Sequence, residues 1–419
     1  MKGTNPAIDE LLPETVLPKR WHTQSAALRP GRTGAGGSRR ARVDLASACL
    51  LAVAAMTAQE LPRGEVVDRV LVTGNDRQSY ALYLPSHYTA ERTWPVLYCL
   101  DPGARGRAPV ERFAKAAEKA GWVVVGSNNS RNGPMGPVQE AIGAMLADTH
   151  ARFSIDDSRV YAAGLSGGAR LALSWGLNGH LAGVIACSAA FGPPGTPKQI
   201  PMRIFATAGI DDFNHDELYR MSRELARRGV EHRFVEFEGG HEWLPEPLTF
   251  EALDFFAGRV PPQAAAESKE SEKQAREAER IRAELASASD AEKYSLFKQM
   301  SKNAAKPNDS PERRVARRVI GGVSVGAMEE TRGLMAEQRY GEAARAAETG
   351  VMVRPENGNA WYTLAVAQAG AGNNKRALEA LEHAAANGFR AWERMESEPL
   401  LAKVRRDARY REVLEKMKQ

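Results

Sequence analysis

The pentapeptide Gly164-Leu165-Ser166-Gly167-Gly168 follows the strand-like run Arg159–Ala163 without a gap and directly precedes the helical stretch Ala169–Leu177. A serine hydroxyl is a poor nucleophile until it stands clear of its neighbours and a base takes its proton. A G-x-S-x-G turn between strand and helix meets the first need: it strains the backbone at the serine, and glycine flanks without Cβ leave Oγ free above the sheet. The helix that begins there favours negative charge developing beside its first N–H groups. A second match, Gly322-Val323-Ser324-Val325-Gly326, follows the basic helical stretch Arg313–Arg318 instead of a strand and has only His383 downstream, so Ser324 is set aside as coincidence.

The base and its orienting acid are expected after the nucleophile, acid first. The run Arg203–Gly209 ends in a turn followed by Ile210-Asp211-Asp212-Phe213-Asn214, and the run His232–Phe237 ends in Gly239-Gly240-His241-Glu242-Trp243. Taken singly, a glycine-flanked histidine is usually a surface turn residue, and Asp211 or Asp212 would cap the helix that follows. Order, spacing and strand-end placement together select a Ser-acid-His constellation. Ser166 attacks, His241 takes its proton and returns it to the leaving group, and the acid holds the imidazole tautomer. Asp212, three residues beyond Gly209, is preferred, and Asp211 stays open.

The elements that must position these residues alternate between strand and helix from Glu65 to about Gly258, which predicts βα units on a mostly parallel sheet. Strands are expected at Val66–Val72, Tyr80–Leu84, Val96–Leu100, Val123–Val125, Val160–Ala163, Val184–Cys187, Arg203–Thr207 and His232–Phe237, with helices near 110–120, 138–152, 168–177, 215–228 and 248–256. After Pro261-Pro262 the residues up to 285 are Ala, Glu, Lys, Arg and Gln with few apolar anchors, the composition of a solvated helix or spacer. Ala343 and Ala377 lie 34 residues apart, the tetratricopeptide period, and Trp361, Leu364, Ala365, Leu381 and Ala384 fall where that repeat interlocks large and small side chains. A closing helix is expected over Ala402–Met417. The predicted organisation is an upstream segment and leader over 1–58, a catalytic domain over 59–260, a charged helical linker over 261–325 and helical repeats over 326–419.

GLSGG and GGHEW resemble the α/β-hydrolase superfamily, and the resemblance covers about residues 65–258. It implies a doubly wound, mostly parallel eight-stranded sheet with helices on both faces, followed here by a small all-α helical-repeat module. It also implies hydrolysis of esters, thioesters or amides, with Ser166 as nucleophile, Asp212 as acid, His241 as base and the N–H of Gly167 as one oxyanion donor. The family's second donor follows its third strand, where this chain has Asp101-Pro102-Gly103-Ala104-Arg105-Gly106. Pro102 has no N–H, so Gly103 or Ala104 is the expected donor. Asp101 is expected to order this loop with Arg105 or Arg107. In the polar segment 127–132, Asn128, Asn129 and Arg131 are candidate substrate contacts, as is Trp243 of the GGHEW ending, although a plain loop of turn-formers explains the segment equally well. Among secreted hydrolases these features look most like the feruloyl/acetyl-xylan esterase, polyhydroxybutyrate depolymerase and dienelactone hydrolase branch. The implied activity is cleavage of a small-molecule or polymer-linked carboxylic ester. A serine peptidase of prolyl-oligopeptidase type and a catalytically silent scaffold that binds partners through its repeats are the alternatives.

Composition narrows the field further. A chain of 419 residues with 43% hydrophobic and 26% charged residues is ordinary globular material for two or three domains. Its formal charge of +5 resides in residues 1–42, where eight Lys/Arg face three acids, and the rest balances. A near-neutral remainder gives no electrostatic case for nucleic acid. The run Leu45–Met56, preceded by Arg39, Arg40 and Arg42, has a secretory signal layout and is too short to span a bilayer. Translation is therefore expected to start near Val43 and the mature chain near Gln59, exported by a bacterium to the periplasm or beyond, with no membrane span. Cys49, Cys99 and Cys187 are too few for a disulfide framework, and the latter two read as small buried residues. No phosphate-loop or metal-ligand spacing appears, so no cofactor or metal is expected.

Overall fold

The computed structural model describes residues 61–177, 181–192, 195–263, 269–308 and 310–418. The expected leader over 1–58, with Cys49, lies outside them. The described residues form two compact units. The first takes in those up to Ala208 together with Glu217–Phe237 and residues 242–263. The second takes in Gly209–Asp216, Glu238–His241 and the described residues from 269 onward.

The first unit is built on an eight-stranded sheet: β1 (Val66–Val72), β2 (Asn75–Tyr83), β3 (Trp94–Leu100), β4 (Val123–Ser127), β5 (Ile155–Leu165), β6 (Gly183–Cys187), β7 (Arg203–Gly209) and β8 (His232–Phe237), in the order β1-β2-β4-β3-β5-β6-β7-β8. β1 and β2 form an antiparallel hairpin, and β2 pairs antiparallel with β4. The pairs β4–β3, β3–β5, β5–β6 and β6–β7 are parallel. Strands covered on both faces must be apolar throughout, which is why β3, β4 and β6 are continuous buried runs. Alternate side chains of β3 serve opposite faces. Val96, Tyr98 and Leu100 join the core under α2 (Met135–Arg152), α3 (Gly167–Gly176) and α4 (His215–Arg227), while Leu97 and Cys99 join the core under α1 (Arg107–Ala120) and α5 (Glu246–Phe256). Cys99 and Cys187 are both buried, and burial pushes the Cys99 thiol well above its ordinary range.

Two strands start five residues ahead of the sequence expectation. β5 begins at Ile155, five residues early, because the polar stretch Asp156–Arg159 is tied up locally: Asp156 accepts from the Ser158 N–H at 3.0 Å and from Arg159 Nε at 2.6 Å. β2 begins at Asn75 because the hairpin extends into polar residues that apolar patterning does not mark.

The second unit contains α6 (Lys269–Ser287), α7 (Asp290–Ala304), α8 (Pro311–Ala336), α9 (Tyr340–Val353), α10 (Gly358–Gly370), α11 (Asn374–Ala386), α12 (Trp392–Ser397) and α13 (Ala408–Lys418). Ser289 and Glu292 form a capping box before α7, and the Ser310 side chain caps α8. The stretch 261–325, expected to be a charged linker, instead builds a core from Ala278, Leu285, Phe297, Met300, Val315, Ala316, Val319 and Ile320. Its apolar anchors are few and partly alanine, so the helix stripe is thin in sequence though sufficient in packing. Ser324 lies inside α8 with no strand before it. Ala343 and Ala377 are fully buried at equivalent places in α9 and α11. The single closing helix expected over Ala402–Met417 is two 3₁₀ turns, Pro399–Ala402 and Val404–Arg406, followed by α13. Asp407, whose carboxylate accepts the Arg409 N–H at 3.0 Å, separates them. No helix among the described residues is long and apolar enough to cross a membrane.

Candidate active site

Ser166 is the hinge between β5 and α3, with φ 55° and ψ −119°, a backbone region sparsely populated by residues with a side chain. Such a conformation costs ~1–3 kcal/mol and persists only where the surroundings impose it. They do so here. The Ser166 N–H donates to the Cys187 carbonyl at 2.9 Å, and its carbonyl accepts from Ala169 and Arg170 at 3.0 and 3.1 Å, starting α3. A Cβ on Gly164 would strike the Gly168 carbonyl, and one on Gly168 would strike the Leu100 carbonyl, so the two glycines of the motif bring the ends of β5 and β3 against the turn.

Asp212 and His241 meet in the second unit. Gly209 closes β7 where a Cβ would strike the Gly239 and Gly240 carbonyls, so its missing side chain lets the two loops stack. The Asp211 N–H donates to the Gly239 carbonyl and the Asp212 N–H to the Gly209 carbonyl, both at 3.0 Å. Within this cradle Asp212, fully buried, accepts from His241 Nδ1 at 2.9 Å and from the Asn214 N–H at 2.9 Å. Phe213 stacks on the imidazole with ring centroids 4.0 Å apart. Nδ1 is thus engaged, and Nε2 is the ring nitrogen that Asp212 leaves for other chemistry.

Asp211 takes the other direction. Its carboxylate pairs with Arg313 at 2.9 Å and Arg317 at 3.0 Å, both on α8. Arg318, also on α8 and 1% exposed, donates to the Ile210 carbonyl at 2.8 Å and pairs with buried Asp216 at 3.0 Å. Burial alone would raise the Asp216 carboxyl, but His215, Arg318 and Arg282 together hold it below its ordinary value. The Arg313–Arg318 stretch thus grips the acid loop on both sides of Asp212. In sequence that stretch reads only as a basic helix, since nothing in it points to its acidic partners.

A mostly parallel eight-stranded sheet, helices on both faces and a strained serine on a strand-to-helix turn now stand together. The fold is that of the α/β-hydrolases. Similar solved structures include a ferulic acid esterase, with 18% identity, covering 47% of this chain and 98% of that one at a TM-score of 0.40. An S-formylglutathione hydrolase from Staphylococcus aureus has 16% identity, with 43% of this chain and 90% of that one covered at a TM-score of 0.36. A hyperthermophilic esterase from the archaeon Pyrobaculum calidifontis has 16% identity, with 51% and 91% covered at a TM-score of 0.37. Residues 334–394 match the tetratricopeptide repeat family. No curated protein matches the chain.

Around Ser166, several expected contacts are assigned differently. Neither Gly103 nor Ala104 offers a free donor: the Gly103 N–H donates to Asp101 Oδ1 at 2.8 Å and the Ala104 N–H to the Asp101 carbonyl at 3.0 Å, with Ala104 at φ 59°. The cause is Asp101, 1% exposed, which folds the loop back on itself. Arg105 grips it through two hydrogen bonds of 2.9 and 3.0 Å, while Arg107 turns instead to Asp68 and Glu111. Trp243 is buried and donates through Nε1 to Asp101 at 3.0 Å, so it braces this loop instead of facing a substrate. Burial opposes ionisation of Asp101, yet Arg105, Trp243 and the Gly103 N–H outweigh it and hold the carboxyl below its usual range. Asn128 and Asn129 spend their carboxamides on β1 and β2: Asn128 Nδ2 donates to the Asp68 carbonyl at 3.0 Å, and Asn129 bonds the backbone of Ser79 and Arg77 at 2.9 Å each. Arg131 is exposed, and its backbone bridges Gly103. Among the described residues, no group of three or more His, Cys, Asp or Glu is arranged to hold a metal ion.

Proposed function

We propose that the chain is a serine hydrolase that cleaves carboxylic esters through an acyl-enzyme on Ser166. The observation that carries this reading is the 2.9 Å bond between buried Asp212 and His241 Nδ1, in loops that follow β7 and β8 of the sheet whose β5 ends at the strained Ser166. In the proposed cycle His241 Nε2 takes the Ser166 proton as Oγ attacks the ester carbonyl, then delivers it to the departing alkoxide. Water repeats the sequence to release the acid. Asp212 keeps the proton on Nδ1 and stabilises the imidazolium that forms twice per turnover. We further propose that the protein is exported, in keeping with the signal layout at Leu45–Met56, and that its repeats contact a protein partner.

A fluorophosphonate probe is expected to label Ser166 in the full chain, and Ser166→Ala is expected to abolish both labelling and p-nitrophenyl acetate hydrolysis. A folded but unlabelled wild type would replace this reading with that of a silent scaffold. Faster cleavage of proline-containing peptide amides than of short-chain esters would move the activity to the peptidases.

A further inference from the structure

We infer that the carboxamide of Asn132 is the second oxyanion donor of this hydrolase, acting beside the N–H of Gly167; the inference rests on the serine-hydrolase reading above. Acyl transfer through Ser166 needs hydrogen-bond donors where the carbonyl oxygen gains charge. The turn after β3 does not provide one, because Asp101 holds the N–H groups of both Gly103 and Ala104. A side chain is left to do so.

Asn132 is where such a side chain has to be. A Cβ on Gly167 would strike the Asn132 carboxamide, meeting Oδ1 first, with Cγ 2.7 Å and Nδ2 2.9 Å from it. The G-x-S-x-G pattern places no demand on this position, since its glycines are Gly164 and Gly168. The glycine at 167 therefore has its own reason: it makes room for the carboxamide against the residue whose N–H is the first donor. The backbone of Asn132 is fixed while its side chain is free. Its N–H donates to the Pro102 carbonyl at 2.9 Å, Arg131 bridges Gly103, and Ser127 Oγ accepts from the N–H groups of Asn129 and Ser130 at 3.3 and 3.0 Å. Among the described residues the carboxamide itself has no hydrogen-bond partner, unlike those of Asn128 and Asn129. A half-turn about the Cβ–Cγ bond exchanges its oxygen and nitrogen without changing its outline, so the NH2 group can be the one presented.

In the step this serves, Ser166 Oγ bonds the ester carbonyl carbon and the carbonyl π pair moves onto oxygen. That oxyanion accepts from Gly167 N–H and Asn132 Nδ2–H. Its pair then re-forms the carbonyl as the C–O bond to the leaving group breaks and His241 returns the proton.

Losing one such donor lowers kcat about 10²–10³-fold with little effect on ground-state binding. The test measures kcat and KM for p-nitrophenyl acetate, affinity for a trifluoromethyl ketone and melting temperature in wild type, Asn132→Ala and Asn132→Asp. Aspartate keeps the outline and removes the donor. Both variants are expected to lose at least about 10² in kcat and in ketone affinity, with KM within about threefold and melting unchanged. Retention of wild-type kcat within about threefold by either variant overturns the inference while leaving the hydrolase reading intact. A wild type that neither reacts with fluorophosphonate nor hydrolyses ester fails the hydrolase reading, and the inference with it. A loss confined to KM would make Asn132 a substrate contact and also overturns the inference.

Discussion

Asp212→Asn is expected to lower kcat for ester hydrolysis about 10⁴-fold, while Asp211→Asn is expected to lower it less than about tenfold. The two residues are neighbours in sequence and opposites in space. Asp212 Oδ1 accepts from His241 Nδ1 at 2.9 Å and from the Asn214 N–H at 2.9 Å, so it dictates which ring nitrogen carries the proton. An asparagine there would present an NH2 group to Nδ1, leave the proton on Nε2 and deprive Ser166 of a base. Asp211 instead faces Arg313 and Arg317, so its removal should show in stability. Steady-state kinetics with p-nitrophenyl acetate on the two purified variants separates them. A larger fall for Asp211→Asn would reverse the assignment of the acid.

Arg318→Met is expected to destabilise the fold by about 3–5 kcal/mol, the cost of leaving a buried charge without its partner. Arg318 and Asp216 are each 1% exposed and lie 3.0 Å apart, and the same guanidinium satisfies the Ile210 carbonyl. Methionine fills much of the volume but leaves Asp216 leaning on Arg282, whose contact is 3.4 Å, and on His215. Arg318→Met combined with Asp216→Leu is expected to recover most of the loss, since replacing a whole buried pair by apolar residues is often neutral. Urea unfolding followed by circular dichroism measures both, and a single variant within about 1 kcal/mol of wild type would refute the claim. The pair also carries a pH signature. The Asp216 carboxyl is held below its ordinary 3.8, so the stability it contributes is complete above that value and is lost as pH falls through the lowered one. Wild type should therefore lose stability as pH falls below about 3.8, and the double variant should lose less.

What could be read from the chain follows from how each feature is encoded. The turn at Ser166 was legible because G-x-S-x-G encodes a backbone conformation, and the observed φ of 55° at Ser166 is that conformation. The central strands were legible because burial on both faces leaves only apolar residues. The start of β5 was not, since Asp156–Arg159 bulges between the Trp94–Ile155 and Val96–Val160 pairings and has the composition of a loop. Asp211 and Asp212 could not be separated because one residue along an irregular loop decides which side a carboxylate faces. The oxyanion expectation at Gly103 and Ala104 counted N–H groups, whereas the decisive fact is that the Asp101 side chain curls back to claim one of them. The core spanning α6 to α8 was missed because small anchors such as Ala278 and Ala316 bury little area each and leave a faint stripe.

The acid loop Gly209–Asp216 and the histidine loop Glu238–His241 cluster with the helices from 269 onward, not with the strands that deliver them. Exchange of backbone amide hydrogens for deuterium would then follow a different map from the sheet. The amides of Ile210, Asp211 and Asp212 should open together with those of α8, because Arg313, Arg317 and Arg318 fasten that loop to the helix. The lifetime of the Asp212–His241 contact would then be set by how often the helical bundle breathes, so a mutation in the packing of α7 against α8 would be felt as intermittent loss of that contact.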